Sequence, residues 1–370
     1  MTLPKPAHSK IKSIRKANKS DGDKAMAALQ WVQDEVRYLG FEEGVNGHKP
    51  RTPAATLANG YGDCKDKSVL LQAALTEMGI TSYVALVSTT SGELLDQVLP
   101  SITMFNHAIV VAEIDGRNVY FDPTGTYQRG SLEGYGEPDY GFVLPIKPGQ
   151  SELVEVDIPF EAYPTQSILE KYTYEEDGSL SLNVEAHYNK RDADSIRRKV
   201  AQQGIAKLTE TYHDYYAERY PSLEVSENIK VLDDETQNKI TLIEAYVLDA
   251  ETVKSAEYEE KIEVKAYSIN NKLPDFIEPG RDFALALNKG VKLHHEIQIV
   301  TPGREFPEQE DVEEETSGVD FMLDYQSNEE VFSLVYDLEI QKERVELSEA
   351  KEIIEPVSYT HLTLPTNREV

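Results

Sequence analysis

Asn59-Gly60-Tyr61-Gly62-Asp63-Cys64-Lys65-Asp66-Lys67-Ser68 is the stretch from which the chain is best read. Beyond it Leu71, Ala74, Leu75 and Met78 recur at helical spacing, and Gly79 stands where a helix would end. Tyr61-Gly62-Asp63 therefore opens a helix expected over Cys64 to Met78, and its first residue is the only cysteine in the chain. The nucleophilic form of cysteine is the thiolate, and unpaired N–H groups at a helix N-terminus favour that anion. The same N–H groups suit an oxyanion, where a substrate carbonyl turns tetrahedral. A lone cysteine is more often a small buried apolar residue, so the case for Cys64 depends on its company.

That company comes from two later segments. Ile80–Thr90 and His107–Ile114 read as strands, Asp115-Gly116 as a hairpin turn, and Asn118–Asp122 as the returning strand, stopped by Pro123. A two-residue turn sets Ile114 opposite Arg117, Ile109 opposite Asp122 and His107 opposite Thr124. His107 and Asp122 then become diagonal neighbours on one face. An odd-length turn would break this parity. An aspartate beside a histidine fixes the imidazole tautomer and steadies the imidazolium. Taken singly, His107 also reads as a core histidine and Asp122 as a turn former. Taken together with Cys64, they make a nucleophile, a base and an orienting carboxylate.

The three groups sit in recognisable motifs. Gly62-Asp63-Cys64-Lys65-Asp66, Phe105-Asn106-His107 and Asp122-Pro123-Thr124 resemble the core of the transglutaminase-like superfamily, in particular bacterial multidomain members in which that core lies between β-rich domains. Trp31, Tyr38, Asn46 and Pro50 also match the approach to the cysteine. The resemblance is strong over about residues 20–150. It continues weakly beyond, in Glu176-Asp177-Gly178-Ser179-Leu180 and in Ala193 to Arg197. It implies an α+β, papain-like core with Cys64 as nucleophile, His107 as base and Asp122 as orienter. Asp63, Asn106, Trp31 and Tyr61 are further candidates for substrate binding or oxyanion support. Lys65, Asp66 and Lys67 read equally as a capping and solvation cluster or as groups that shape the site. The resembled family is often exported and often has a further N-terminal β-rich domain. Neither an export signal nor that domain stands in this sequence, and the chain is expected to be a fragment whose compartment stays open.

Charge divides the chain in the same place. Of 37 Lys+Arg and 66 Asp+Glu, residues 1–150 hold 15 and 17, and the other 220 residues hold 22 and 49. The expected organisation is a basic segment over 1–19, a catalytic core over 20–150, an acidic β-rich, sandwich-like domain with one long helix over 151–356, and a tail over 357–370. Met1–Lys19 is basic without an apolar run and is not a secretory signal peptide. Val357–Val370 resembles translated adaptor DNA and is set aside as non-native. Helices are expected from Lys24 to Tyr38 and around Ile196–Tyr215. Strands are expected at Ile168–Tyr174, Leu180–Tyr188, Lys239–Leu248, Lys261–Tyr267, Val291–Val300, Val319–Tyr325 and Val331–Ile340, with a turn at Asp177-Gly178. Gly130–Gly141, with Tyr135 and Tyr140, reads equally as a mobile loop near the cleft or as ordinary surface.

Composition removes several function classes. A net charge of -29 makes the chain a poor binder of nucleic acid, which is held by Lys and Arg on phosphates. One cysteine excludes an internal disulfide and a zinc site of several thiolates. No apolar run reaches the roughly 20 residues of a membrane span. The acidic cluster Glu308–Glu315 lacks the spacing of a calcium loop, and His294-His295 lacks partners at metal spacing. No metal or organic cofactor is called for. The leading expectation is acyl transfer on peptide or protein amides through a thioester, with hydrolysis preferred over crosslinking. The alternative is a catalytically silent scaffold that binds protein. Transfer from a thioester carrier ranks last, since no basic pocket for such a carrier is visible.

Overall fold

A computed structural model describes residues 3–40, 47–159, 164–175, 179–249, 261–274, 277–278, 280–300, 310–316, 318–328, 330–359 and 361–365. Asn46, the turn at Asp177-Gly178 and the first residues of Glu308–Glu315 lie outside them. The chain forms two compact units. The first is Met1–Pro159 with Ala193–Arg198 and Asp234–Asn238; the second is Phe160–Asp192, Lys199–Asp233 and Lys239–Val370.

In the first unit, helices α1 (Lys5–Ala17) and α2 (Asp21–Glu35) lead into β1 (Arg37–Tyr38), α3 (Pro53–Asn59), β2 (Tyr61–Gly62) and α4 (Cys64–Glu77). Strands β3 (Ser82–Val87), β4 (His107–Ile114), β5 (Arg117–Phe121), β6 (Phe142–Pro145) and β7 (Val154–Glu155) form a sheet in the order β5-β4-β3-β6-β7. The basic N-terminal segment is helical because Ala7, Ile11 and Ile14 recur on one side and are buried, while its lysines stay outside. The helix expected from Lys24 to Tyr38 starts three residues earlier, capped by the Ser20 hydroxyl, which accepts from the Asp23 N–H. It also stops sooner, since Arg37–Tyr38 pairs in parallel with Tyr61–Gly62.

The core joins α1, α2 and α4 to Val110, Ala112 and Ile114 of β4 and to Val119 and Phe121 of β5. Ile109, Val111 and Tyr120 pack with β3 and β6 residues on the other side of the sheet. Strand β4 is thus buried on both faces, which explains its unbroken apolar run Ala108–Ala112.

The second unit holds an eight-stranded mixed sheet. Its strands are β8 (Gln166–Tyr174), β9 (Ser179–Asn189), β10 (Glu224–Asp234), β11 (Lys239–Asp249), β14 (Lys292–Val300), β15 (Val312–Glu315), β16 (Val319–Ser327) and β17 (Val331–Ile340), in the order β10-β11-β9-β8-β14-β17-β16-β15. Helix α5 (Lys190–Ala217) interrupts them and breaks at Gly204, whose φ is 78°. β12 (Lys261–Lys265) and β13 (Leu285–Ala286) pair with β19 (His361–Pro365) and β18 (Arg344–Val345).

Two expectations need correction here. The long strands lie in one sheet instead of two facing sheets, because tyrosines of α5 fill the core against it. The strand expected over Lys261–Tyr267 stops at Lys265, and Tyr267–Asn270 is a short helix, α6. The last helix, α7, runs Leu347–Tyr359. Part of the tail set aside above, His361–Pro365, pairs with β12.

Candidate active site

The N-terminus of α4 is fixed by a reciprocal cap. Asp63 Oδ1 accepts from the N–H groups of Lys65 at 3.0 Å and Asp66 at 3.2 Å, while Asp66 Oδ2 accepts from the Asp63 N–H at 3.2 Å. Asp66 is itself held by Arg51, whose N–H and guanidinium donate to Oδ1 and Oδ2 at 2.6 and 2.5 Å. Gly62 is required at the approach: a Cβ there would lie 2.8 Å from the Asp66 Cβ and 3.1 Å from Thr56 Cγ2. Cys64 is the half-buried first residue of this helix. One turn further, the buried Ser68 hydroxyl donates to the Ala108 carbonyl at 2.9 Å and ties α4 to β4 beside His107.

The hairpin supplies the other two groups. Asp115 and Gly116 both take positive φ (50° and 83°), the geometry of a tight two-residue turn, and Ile114 pairs with Arg117. Ladder pairing ends at Val110 with Phe121, and His107 pairs on its other side with Val87. Asp122 lies one residue past β5, and its Oδ2 is 2.9 Å from His107 Nε2. With Nε2 engaged there, Nδ1 is the ring nitrogen left for the sulfur, and Cys64 lies close enough to the imidazole to help raise its pKa. Burial works against the imidazolium, but the Asp122 hydrogen bond, then the Cys64 hydrogen bond and the charges of both, push His107 up to about 9.

Asp122 is heavily hydrogen-bonded. Besides His107, the Tyr140 hydroxyl donates to Oδ2 at 2.7 Å, and Thr124 donates to Oδ1 from its N–H at 2.8 Å and its hydroxyl at 2.7 Å. Burial opposes the charge, but these donors and the imidazolium hold the carboxyl below the usual aspartate range. Gln33 Nε2 donates to the Asp122 carbonyl at 3.1 Å. The Tyr140 ring lies 5.9 Å from that of His107. The segment Gly130–Gly141 is thus packed on the Asp122 side of the site: Tyr135 is buried beside Phe121, and Tyr140 is bonded to the carboxylate. Tyr140, Gln33 and Ser68 were not singled out for the site by sequence pattern. Thr124 stands in the Asp-Pro-Thr motif, which was the available hint.

The remaining candidates are engaged elsewhere. Asp63 is consumed by the cap and by Lys65 Nζ at 2.9 Å. The Asn106 side chain makes two 2.9 Å bonds with Thr89, to its N–H and its hydroxyl. Trp31 is buried in the helical core, and Tyr61 lies under the Arg51 guanidinium at 5.7 Å. Lys67 is fully buried, donates to the Val36 carbonyl, and is lowered to about 8 by burial against the pull of Asp122 and Asp34. Arg197 donates to the Tyr127 carbonyl at 2.9 Å and pairs with Asp194 at 3.2 Å, bracing the loop that follows Asp122.

A helix-borne cysteine facing a histidine–aspartate pair on a hairpin is the arrangement of thiol acyl-transfer sites. Residues 9–123 match the model of the transglutaminase-like superfamily. Among solved structures, the chain is similar to a Parabacteroides distasonis protein described as a putative protease, with 12% identity and a TM-score of 0.52. The match covers 96% of this chain and 54% of the other, so the chain spans about half the length of that neighbour. No significant match is found among curated proteins.

Proposed function

We propose that the chain is a cysteine enzyme of transglutaminase-like type that transfers acyl groups from peptide or protein amides through a thioester. Cys64 is the nucleophile, His107 the acid and base, and Asp122 the orienting carboxylate, in a papain-like helix–strand–strand order. The observation that carries the reading is the 2.9 Å Asp122–His107 contact on an imidazole that also stands near Cys64.

The chemistry follows from these groups. The Cys64 sulfur adds to the amide carbonyl carbon. The Lys65 and Asp66 N–H groups are already taken by Asp63, which leaves the Cys64 N–H in that first turn to face the oxyanion. As the C–N bond breaks, the imidazolium gives its proton to the departing amine and a thioester forms. Neutral His107 then takes a proton from water, hydroxide adds to the thioester, and the acid leaves as the thiol is regenerated. An amine in place of water would give crosslinking. Hydrolysis is the preferred outcome, and the protease description of the structural neighbour agrees with it.

The test is intact-mass detection of a covalent adduct on the full chain after incubation with a peptide library, with and without an added primary amine, followed by product identification. An acyl adduct on Cys64 that is absent from Cys64→Ala, with carboxylate products, is the expected result. Failure to acylate Cys64, while Cys64→Ala retains protein-binding activity, would leave the silent scaffold as the better reading.

A further inference from the structure

The sheet of the second unit carries two acids on its core side. Glu170 of β8 and Glu244 of β11 both lie opposite Val184 of the strand between them, so one row across three strands reads Glu–Val–Glu. Both glutamates are 2% exposed in positions where their neighbours Tyr172, Leu242 and Tyr246 build the apolar core. Isolated buried carboxylates cost several kcal/mol, on the order of what a whole domain can spare. Such an arrangement calls for a compensating partner.

The partners within the core are incomplete. Tyr216 and Tyr172 donate to the two oxygens of Glu170 at 3.0 Å each, and Tyr246 donates to Glu244 at 2.6 Å. The fully buried His295 is bonded through Nδ1 to the Ser268 hydroxyl at 2.6 Å. Its Nε2 lies 3.4 Å from Glu170 Oε1 but lacks hydrogen-bond geometry there, and so has no bonded partner. Glu170, Glu244, Tyr216, Ser268 and His295 line a cavity of about 270 Å³ whose wall continues with Tyr212 and Tyr215 of α5 and with the exposed Lys199.

We propose that this cavity is a binding site for a small protonated amine. The two carboxylates, with an imidazole nitrogen that lacks a hydrogen-bond partner, offer acceptors to the N–H donors of an ammonium group. The α5 tyrosines add ring faces that attract cations. Burial first, and the Glu170 charge as well, push Glu244 up to about 7 against the Tyr246 hydrogen bond. The site is separate from Cys64 chemistry and does not depend on it.

The experiment is calorimetric titration of the full chain with 1,5-diaminopentane at pH 8, with pentan-1-ol as the uncharged control. Saturable binding of the diamine and none of the alcohol is expected, with Glu244→Gln and Glu170→Gln each weakening it at least about tenfold. Val184→Lys, which sets an ammonium between the two acids, is expected to fold and to abolish uptake, and it keeps the test sound if a glutamine variant does not fold. No saturable binding by the wild type, equal binding of amine and alcohol, or undiminished binding by folded Glu244→Gln would overturn the proposal.

Discussion

Replacing Asp122 by asparagine keeps the shape of the His107 partner and removes its charge. His107 stands near 9 against an ordinary 6.5, and the Asp122 hydrogen bond is the largest of the causes that raise it. Loss of the carboxylate leaves burial opposed only by the smaller Cys64 contribution, so the midpoint should fall towards 6.5. A fall from about 9 to about 6.5 corresponds to about 3 kcal/mol, counted once for the pair. At pH 8 the imidazolium fraction drops from about nine-tenths to a few hundredths, roughly a thirtyfold loss of the acid that serves the leaving amine.

The same coupling sets a stability window. A raised histidine contributes fully below its unfolded value of 6.5, and the contribution fades as pH climbs through about 9. Because Asp122 is depressed, the pair also weakens as pH falls through the carboxyl's own lowered value. The assay is NMR titration of the His107 ring in Cys64→Ser and Cys64→Ser/Asp122→Asn chains, joined to urea unfolding from pH 5 to 10. The serine background removes the smaller sulfur contribution, so its midpoint should lie somewhat under 9 and still well above that of the double variant. Coincident midpoints in the two chains would refute the electrostatic account of the site.

Other consequences are open to measurement. Tyr140→Phe removes a 2.7 Å donor from an ionised carboxylate, and urea unfolding at pH 7 should show a loss of about 2 kcal/mol. Unchanged stability would mean that the hydroxyl is replaced by water at no cost. Gly62→Ala forces a methyl against Asp66 and Thr56 and should cost about 1–3 kcal/mol, read as a lower urea midpoint with slower alkylation of Cys64. Lys67 is lowered to about 8, so its buried charge is a penalty below that pH and is relieved as pH rises towards 10.5. The stability of Lys67→Met relative to wild type should therefore decline by up to about 3 kcal/mol between pH 7.5 and 10.5. A flat difference across that range would show that Lys67 stays charged.

Periodicity and turn chemistry made most of the helices and strands legible. Asp115-Gly116 admits a two-residue turn, and the parity of the strands then sets which residues meet. The cap at Asp63 is legible as a helix start and Asp66 as part of a capping cluster, but the clamp of Arg51 on Asp66 is not, because it joins residues fifteen apart through an intervening helix. Tyr140 was out of reach for a similar reason: eighteen positions of irregular chain separate it from Asp122, and no pattern specifies where a loop tyrosine points. Helix α1 was hidden by its lysines, since a stripe of Ala7, Ile11 and Ile14 is too thin to stand out without the surface that covers it. The core acids Glu170 and Glu244 stood in the apolar register of their strands. One acid in a row of alternating apolar residues leaves the strand legible and is itself hidden by the pattern.

The bond from Ser68 to Ala108 has a bearing on how the site meets its substrate. It fastens the element that carries the sulfur to the residue next to the ring, at a depth that solvent does not reach. The spacing between the Cys64 sulfur and the His107 ring is then inherited from the scaffold, and in the proposed reaction it is set before any acyl donor arrives. Whatever adaptation a bulky chain demands has to come from the surrounding loops, while the two reacting arms stay as a single rigid jaw.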